Sequence, residues 1–206
     1  MANKFFKASM GVTIVMLIGY MISFFKESVI ANYFGAGSNV DAYTIAIQIP
    51  VELFTFVTVS VQSIVVPMYS KFYYNNGVDD SKKYLDHLIT IIVIISFLII
   101  MVCEIGASGL VYLFAPGFDI STHNLSVELL RIVFPSVLFS VICQVLVAVL
   151  NVHKQFVINS LSLYFMNICT IVGTILFHVN YGIYAAAVGL LIGVALNRIF
   201  LDKVWK

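Results

Sequence analysis

Five residues near the start of this 206-residue chain have side chains that can do chemistry inside a membrane. They flank a tight Gly35-Ala36-Gly37 turn, with apolar sequence on both sides: Lys26, Glu27, Asp41, Gln48 and Glu52. Ionisable groups within membrane segments are rare and mark pathways for ions, protons or charged substrates. The stretch therefore predicts a binding site on two long membrane helices that the turn joins, with charged groups facing each other.

Composition restricts the class of protein. The chain is 61% hydrophobic and 10% charged, with a mean hydropathy of +1.03. Soluble domains average about 25% charged residues, so these values indicate an integral membrane protein. The net charge of +1 argues against nucleic acid as a partner. The three cysteines lie singly in apolar runs and the four histidines lie far apart, which predicts no metal site.

The apolar segments predict an all-α fold, a polytopic membrane bundle with six transmembrane helices. A membrane crossing needs about 20 apolar residues. On that basis we expect one domain over residues 1–206, a single six-helix lobe, with spans near 6–34, 41–70, 88–114, 127–151, 157–178 and 182–201.

Basic residues predict the orientation of these spans, because cytoplasmic loops are enriched in Lys and Arg. Nine of the eleven fall on one side: Lys4, Lys7, Lys71, Lys82, Lys83, Lys154, Arg198, Lys203 and Lys206. We therefore expect both termini and the 71–87 loop to be cytoplasmic. The segment 116–124 is then the main outer loop.

Polar side chains recur at helical spacing along span two. At 100° per residue, seven polar residues fall on one side of the helix: Asp41, Thr44, Gln48, Glu52, Thr55, Gln62 and Ser63. Contact of their charged and amide groups with lipid hydrocarbon would cost several kcal/mol. This side must face water or other helices, so the alternatives are a wet cavity and interhelical hydrogen bonding in a static bundle. Lys26 alone has another interpretation, an interfacial anchor that snorkels. Asp41 alone also has another interpretation, because the helix dipole stabilises a carboxylate in the first turn of a helix.

Three later features bear on packing. Span five carries Asn167, Thr170, Thr174 and His178, for which cavity lining and interhelical hydrogen bonding both remain open. Span six contains Gly189-x-x-x-Gly193, a pattern that predicts close helix packing. Glu104, late in span three, has no evident partner.

Catalytic motifs are missing from the sequence. It has no nucleophile elbow and no phosphate-cradling loop, and its Gly35-Ala36-Gly37 segment lacks the Lys-Ser/Thr ending of such a loop. We expect no enzyme activity, no cofactor and no catalytic residue.

Two segments resemble a known family. The run Phe24 to Tyr43 (FFKESVIANYFGAGSNVDAY) is similar to the N-terminal signature of the MurJ/MviN family of lipid II flippases, in the MOP exporter superfamily. The run Arg131 to Phe156 is similar to that family's fourth helix and following loop. The likeness covers nearly the whole chain but corresponds to the N-terminal six-helix lobe only, whereas the family builds its cavity between two such lobes.

The resemblance implies site residues. Family members use cavity arginines to engage a lipid-linked diphosphate. Lys26 matches one such position and keeps the charge, and Glu27 stands where the family has an acid. Tyr20 and Phe54 stand where further arginines are expected, so this lobe is more acidic than the family pattern.

The resemblance also implies a function. We expect a multi-pass lobe in the cytoplasmic membrane that flips a lipid-linked cell-wall or polysaccharide precursor by alternating access. Its expected partners are that lipid-linked saccharide, membrane lipid, and a second six-helix lobe or further copies of the chain. The alternatives are a cation-coupled MATE-like exporter of small molecules, which the acidic residues favour, and a truncated, non-transporting remnant or assembly subunit.

Overall fold

The computed structural model of this protein describes residues 2–205, with side chains for all of them except 2–9, 76, 156, 157, 159, 160, 162, 163 and 205. The side chains of Lys4 and Lys7, and Lys206 as a whole, thus lie outside the described part. The described chain forms seven α-helices: α1 (Ala2–Phe34), α2 (Ser38–Asn76), α3 (Val78–Ile105), α4 (Ala107–Phe114), α5 (Ile120–Val152), α6 (Phe156–Tyr181) and α7 (Tyr184–Trp205).

The length and apolarity of these helices make the chain a membrane protein. Within the described residues, five segments are long and apolar enough to cross a bilayer: Met10–Phe34, Ser38–Asn75, Val78–Ile105, Ile120–Val152 and Tyr184–Val204. The expected all-α multi-pass bundle is confirmed. Helix α6 covers the predicted fifth span, and its crossing, like the orientation of the bundle, stays a prediction.

Helix α5 is the centre of the bundle. It packs along α2 on one side and α7 on another, and α3 and α4 also pack against it. Its side chains Leu129, Leu130 and Phe134 are fully buried. Helix α1 packs instead along α6, and α6 packs along α7, so α1 and α2 touch each other little. One side of each of these two helices is consequently left uncovered by the rest of the chain.

The third predicted span differs from the structure at both ends. Helix α3 begins at Val78, and the expected cytoplasmic loop is reduced to a turn at Gly77. Asp79 and Asp80 occupy the first turn of α3, where the positive end of the helix dipole favours carboxylates. The C-terminal end is broken at Gly106 into α3 and α4, in keeping with the poor helix propensity of glycine.

The close packing that Gly189-x-x-x-Gly193 predicts is confirmed, and its partner is α6. A Cβ at Gly189 would lie 2.7 Å from the carbonyl oxygen of Cys169, and one at Gly193 would lie 2.6 Å from Cα of Met166. Both separations are shorter than any side chain tolerates. The glycines therefore let the α6 and α7 backbones touch inside one chain.

Candidate functional site

The turn between α1 and α2 positions the site. Gly35 has φ +73, in the left-handed region that glycine enters without strain, and its N–H donates to the Ala31 carbonyl at 2.9 Å. Helix α2 starts directly afterwards, with Gly37 in extended conformation as its N-cap. Asp41 lies in the first turn of α2 and is exposed. The turn thus reverses the chain within a few residues and places Asp41 at the end of the bundle where α1 also ends.

Lys26 and Glu27 form an ion pair on α1. The Lys26 Nζ lies 2.8 Å from Glu27 Oε1, with the lysine side chain 14% exposed and the glutamate side chain 64% exposed. Ser23, about one turn before this pair, contacts Asn167 of α6. The lysine side chain is thus mostly covered, and Glu27 is its partner in this conformation.

Helix α2 presents Asp41, Gln48 and Glu52 on its exposed side, whereas Ile49 and Pro50 are buried against the bundle. Among the described residues, no hydrogen bond or ion pair engages the three polar side chains. All three lie within the span Ser38–Asn75. We call Glu27, Asp41, Gln48 and Glu52, with Lys26 paired to Glu27, the α1–α2 polar face.

The other polar side chains predicted for this side of α2 already make hydrogen bonds within the protein. The hydroxyls of Thr44, Thr55 and Ser63 are exposed but donate to carbonyls one turn earlier in their own helix, at 2.8, 2.7 and 2.8 Å. Gln62 is half-buried, and its Nε2 donates to the Gln144 carbonyl of α5 at 3.5 Å. The polar character of this side is therefore concentrated in Asp41, Gln48 and Glu52.

The polar residues of α6 form interhelical packing. Asn167, Thr170 and Thr174 are buried, and the Asn167 Nδ2 donates to Ser23 Oγ of α1 at 2.8 Å. The His178 ring packs against Tyr33, with ring centroids 4.1 Å apart and ring planes tilted by 45°. Of the two interpretations left open by the sequence, the structure favours packing within the bundle: Asn167 bonds across to α1, whereas Thr170 donates to the Met166 carbonyl of its own helix.

One polar group of the site region escaped sequence reasoning. Tyr43 is 3% exposed on α2, facing inward, and its hydroxyl has no hydrogen-bond partner in the described part of the chain. A tyrosine in an apolar run is usually a core aromatic, and the sequence carried no signal that distinguished this one.

Glu104 acquires a partner that the sequence did not indicate. Its Oε2 lies 3.9 Å from Nε of Arg131 on α5. One turn earlier, Glu128 accepts a hydrogen bond from the Tyr184 hydroxyl of α7. These contacts tie α3 to α5 and α5 to α7.

The structure thus brings Lys26 and Glu27 into contact, but among the described residues no bond links them to Asp41, Gln48 or Glu52. No group of three or more His, Cys, Asp or Glu within the same residues is arranged to hold a metal ion. The α1–α2 polar face consists of the carboxylates of Glu27, Asp41 and Glu52, the amide of Gln48 and the mostly covered ammonium of Lys26. Such a set suits binding of a charged or hydroxyl-rich substrate, or of protons and cations.

Comparison with known proteins identifies relatives by sequence. Residues 30–201 match the protein family described as lipid II flippase MurJ. The chain is 29% identical over 182 residues to the lipid II flippase MurJ of Thermosipho africanus, covering 88% of this chain and 37% of that protein. It is 32% identical over 180 residues to the probable lipid II flippase MurJ of Buchnera aphidicola subsp. Schizaphis graminum, covering 83% and 34%. The chain therefore spans little more than a third of these relatives.

Solved structures show the same fold. A lipid II flippase MurJ in an inward closed conformation superposes with a TM-score of 0.77 at 23% identity, over 93% of this chain and 41% of that one. A MOP superfamily transporter from Pyrococcus furiosus gives 0.74 at 16% identity, over 96% and 44%. A MATE structure gives 0.69 at 15% identity, over 96% and 45%.

The sequence match covers most of the chain, and the bundle matches part of the fold shared by MurJ and MATE proteins. By this evidence the chain belongs to the MurJ lipid II flippase family, a family of transporters and not of enzymes.

Proposed function

We propose that this chain is one lobe of a flippase that moves a lipid-linked saccharide precursor, of the lipid II kind, across the cytoplasmic membrane. A second six-helix lobe completes the transport unit in this proposal. The relatives named as lipid II flippases are longer than this chain. The family match over residues 30–201 includes Asp41, Gln48 and Glu52.

The observation that carries the proposal is the exposure of Asp41, Gln48 and Glu52 inside a membrane span. Hydrocarbon cannot cover two carboxylates and an amide without a cost of several kcal/mol. The bundle does not cover them either, because α1 and α2 pack away from each other, on α6 and α5. This side of the lobe therefore faces a water-filled cavity or a second lobe, which is how a transport pathway is built.

Lys26 gives the site its cation. An ammonium binds a phosphate as a point charge, and the lipid-linked diphosphate of such a precursor is the most highly charged part of the molecule. The Lys26 side chain is mostly buried and its charge is balanced by Glu27 alone among the described residues. An anion that approaches the α1–α2 polar face meets this ammonium once the carboxylate moves aside.

The mechanism in this proposal is alternating access. The lobe rocks as a unit against its partner about a site near the middle of the membrane. Close packing of α6 on α7 and the central position of α5 keep the lobe rigid. The saccharide head group passes along the α1–α2 polar face, where Gln48 and the carboxylates supply hydrogen-bond partners for sugar hydroxyls.

The test is flipping of a lipid-linked saccharide in vesicles that hold this chain with its second lobe. Lys26→Ala should abolish transport, and Lys26→Arg should keep much of it, because an arginine binds phosphate at least as well through its two-pronged guanidinium. Lys82→Ala, an exposed lysine on α3, is the matched control and should transport normally. Unchanged transport by the Lys26→Ala variant would contradict the role of Lys26 in diphosphate binding.

A second function, cation-coupled export of small molecules, is favoured by one observation: the α1–α2 polar face has three carboxylates and a single ammonium. Under this alternative a carboxylate carries a proton or Na⁺. Glu27→Gln, Asp41→Asn or Glu52→Gln should then be the damaging changes, since each removes a titratable group and keeps the shape. Loss of Lys26 would shift the pH dependence of transport without stopping it.

A further inference from the structure

A cleft of about 480 Å³ lies between α2 and α3. Its walls include Ile64 and Val65 of α2 and Leu88, Ile91 and Ile95 of α3. Both helices are long and apolar enough to cross a bilayer, so these walls lie at the depth of the membrane hydrocarbon. We call this space the α2–α3 cleft. Its volume falls in the range of about 300–1,000 Å³ that is usual for small-molecule sites.

The α2–α3 cleft has the depth of one membrane leaflet. On α3 its wall runs from Tyr84 to Ser96, which is about 18 Å of helix at 1.5 Å per residue. The hydrocarbon core of a bilayer is about 30 Å thick, so each leaflet contributes about 15 Å. A membrane-spanning helix of another subunit would lie along both leaflets, whereas an acyl chain that starts at the interface lies in one. The length of the cleft therefore favours an acyl chain.

The end of the cleft nearest the Gly77 turn has polar and aromatic side chains. The Tyr84 ring stacks on Phe72 of α2, with ring centroids 4.8 Å apart, so the two helices are in contact there. His87 lies in the wall, and its Nδ1 donates to the Lys83 carbonyl at 2.8 Å, which fixes the direction of the ring. Tyrosines are enriched at the level of lipid head groups. A head group would therefore lie at this end of the cleft.

Charges near this end favour an anionic head group. Lys71 lies two turns beyond the α2 wall on the side of α2 that lines the cleft, and it is exposed. Among the described residues, no hydrogen bond or ion pair engages its ammonium. Lys83 is already paired, with its Nζ 3.3 Å from Asp80 Oδ1, and Asp79 and Asp86 fall on the side of α3 away from the cleft. One ammonium is thus available, which suits the single negative charge of a phosphodiester better than a diphosphate.

We propose that the α2–α3 cleft binds an anionic phospholipid of the membrane, with one acyl chain between the two helices and the phosphodiester against the Lys71 ammonium. The second acyl chain stays in the bilayer. The bound lipid fills the apolar space beside α2, the helix that also carries Asp41, Gln48 and Glu52. This site is separate from the α1–α2 polar face and does not depend on what the protein transports.

The first experiment measures binding of phosphatidylglycerol and of phosphatidylcholine to the purified full-length chain by native mass spectrometry. We expect Lys71→Ala to weaken phosphatidylglycerol binding about fivefold, the contribution of one basic side chain near an anionic lipid, and to leave phosphatidylcholine binding unchanged. Lys82→Ala is the matched control, because this exposed lysine falls on the side of α3 away from the cleft. Equal losses in the two variants would overturn the site, since they would show attraction by surface charge alone.

The second experiment fills the cleft. Ile91→Trp places a larger side chain at an exposed position of the α3 wall, and it should weaken phosphatidylglycerol binding more than Lys71→Ala does, because it removes the apolar contact of the acyl chain. Ile94→Trp, at an equally exposed isoleucine of α3 outside the cleft, is the control and should bind normally. Circular dichroism checks that both variants keep their helix content.

Other occupants of the cleft give different results. If Ile91→Trp left phosphatidylglycerol binding unchanged but weakened binding of a polyprenyl diphosphate, the cleft would hold the chain of a transported substrate. If it weakened only association with a second lobe, the cleft would be a protein interface. Either result would overturn the phospholipid site. Failure of the proposed function is distinguishable, because Lys26→Ala should leave phosphatidylglycerol binding unchanged whether or not Lys26 engages a diphosphate.

Discussion

Gly193 of α7 lies against Met166 of α6 so closely that a Cβ on the glycine would be 2.6 Å from the methionine Cα. Gly189, one turn earlier, is equally close to α6, since a Cβ on it would lie 2.7 Å from the Cys169 carbonyl oxygen. The two helices are thus in backbone contact along a seam that only glycine permits. Since α6 also carries α1, this seam supports the helix on which Lys26 and Glu27 lie.

Replacing Gly193 tests that relationship. Gly193→Ala forces α6 and α7 apart, and overpacking of this kind costs about 1–3 kcal/mol. We expect a lower midpoint of thermal unfolding, measured in detergent by circular dichroism. Gly109→Ala in α4 is the matched control, because nothing lies within 4 Å of the new methyl group. It should be neutral or slightly stabilising, since alanine favours helix over glycine. Equal midpoints for Gly193→Ala and the original protein would contradict the seam.

A pH dependence is expected from the N-cap of α5. Hydrogen bonds from Ser121 and then Thr122 lower the pKa of Asp119 from 3.8 to about 2. The Thr122 hydroxyl contributes at 2.5 Å, and the backbone N–H groups of both residues contribute at 3.1 and 3.4 Å. A carboxyl group with a lowered pKa in the folded state stabilises the protein above its unfolded pKa, and that contribution is lost as the pH falls through the folded value.

Asp119→Ala should therefore unfold at a lower temperature than the original protein near neutral pH. The difference should hold down to about pH 5, shrink between about pH 4 and pH 2, and vanish below that range. Unfolding midpoints measured across this series check it. Asp86→Ala, at an exposed carboxylate with no side-chain hydrogen bond among the described residues, serves as the control. A difference that persists unchanged at pH 2 would show that the cap does not act through the charge of Asp119.

The orientation of the bundle is open to a direct test. Both termini and the α2–α3 turn are expected on the cytoplasmic side, and the segment before and at the start of α5 on the outer side. Reporter fusions at Asn76 and at His123 should then give opposite readings for enzymes active on only one side of the membrane. Matching readings from the two positions would overturn the expected number of spans between them.

Helical periodicity predicted much of the fold from the sequence. The all-α membrane bundle, the tight turn at Gly35 and the glycine seam at Gly193 all follow from local rules about apolar length, turn residues and small-residue spacing. The exposed side of α2 follows as well: Asp41 and Glu52 are exposed while Pro50 is buried, as their angles on the helix predict. Whether that exposed side meets water stays a prediction.

The sequence could not predict which residues on different helices contact each other. Arg131 is the partner of Glu104, but 27 residues separate them and a helical wheel gives no information on which helices are neighbours. The same holds for the difference in exposure between Lys26 and Glu27, since these neighbours differ by 100° on the helix and the sequence does not show which of the two is covered. The polar stretch around Asp79 was expected as a loop because polarity alone does not distinguish a loop from a helix that extends beyond the membrane.

The last prediction distinguishes a wet cavity from buried packing on α2. Single cysteines at Asp41, Gln48 and Glu52 in a background without native cysteines should react with a membrane-impermeant thiol reagent, as the proposed aqueous pathway requires. A cysteine at Ile49, which is fully buried, should stay protected and serves as the control. Labelling is measured in intact vesicles and should follow the period of the helix. Uniform protection at the three exposed positions would mean that another protein surface seals this side of the helix, and the α1–α2 polar face would then be an interface instead of a pathway.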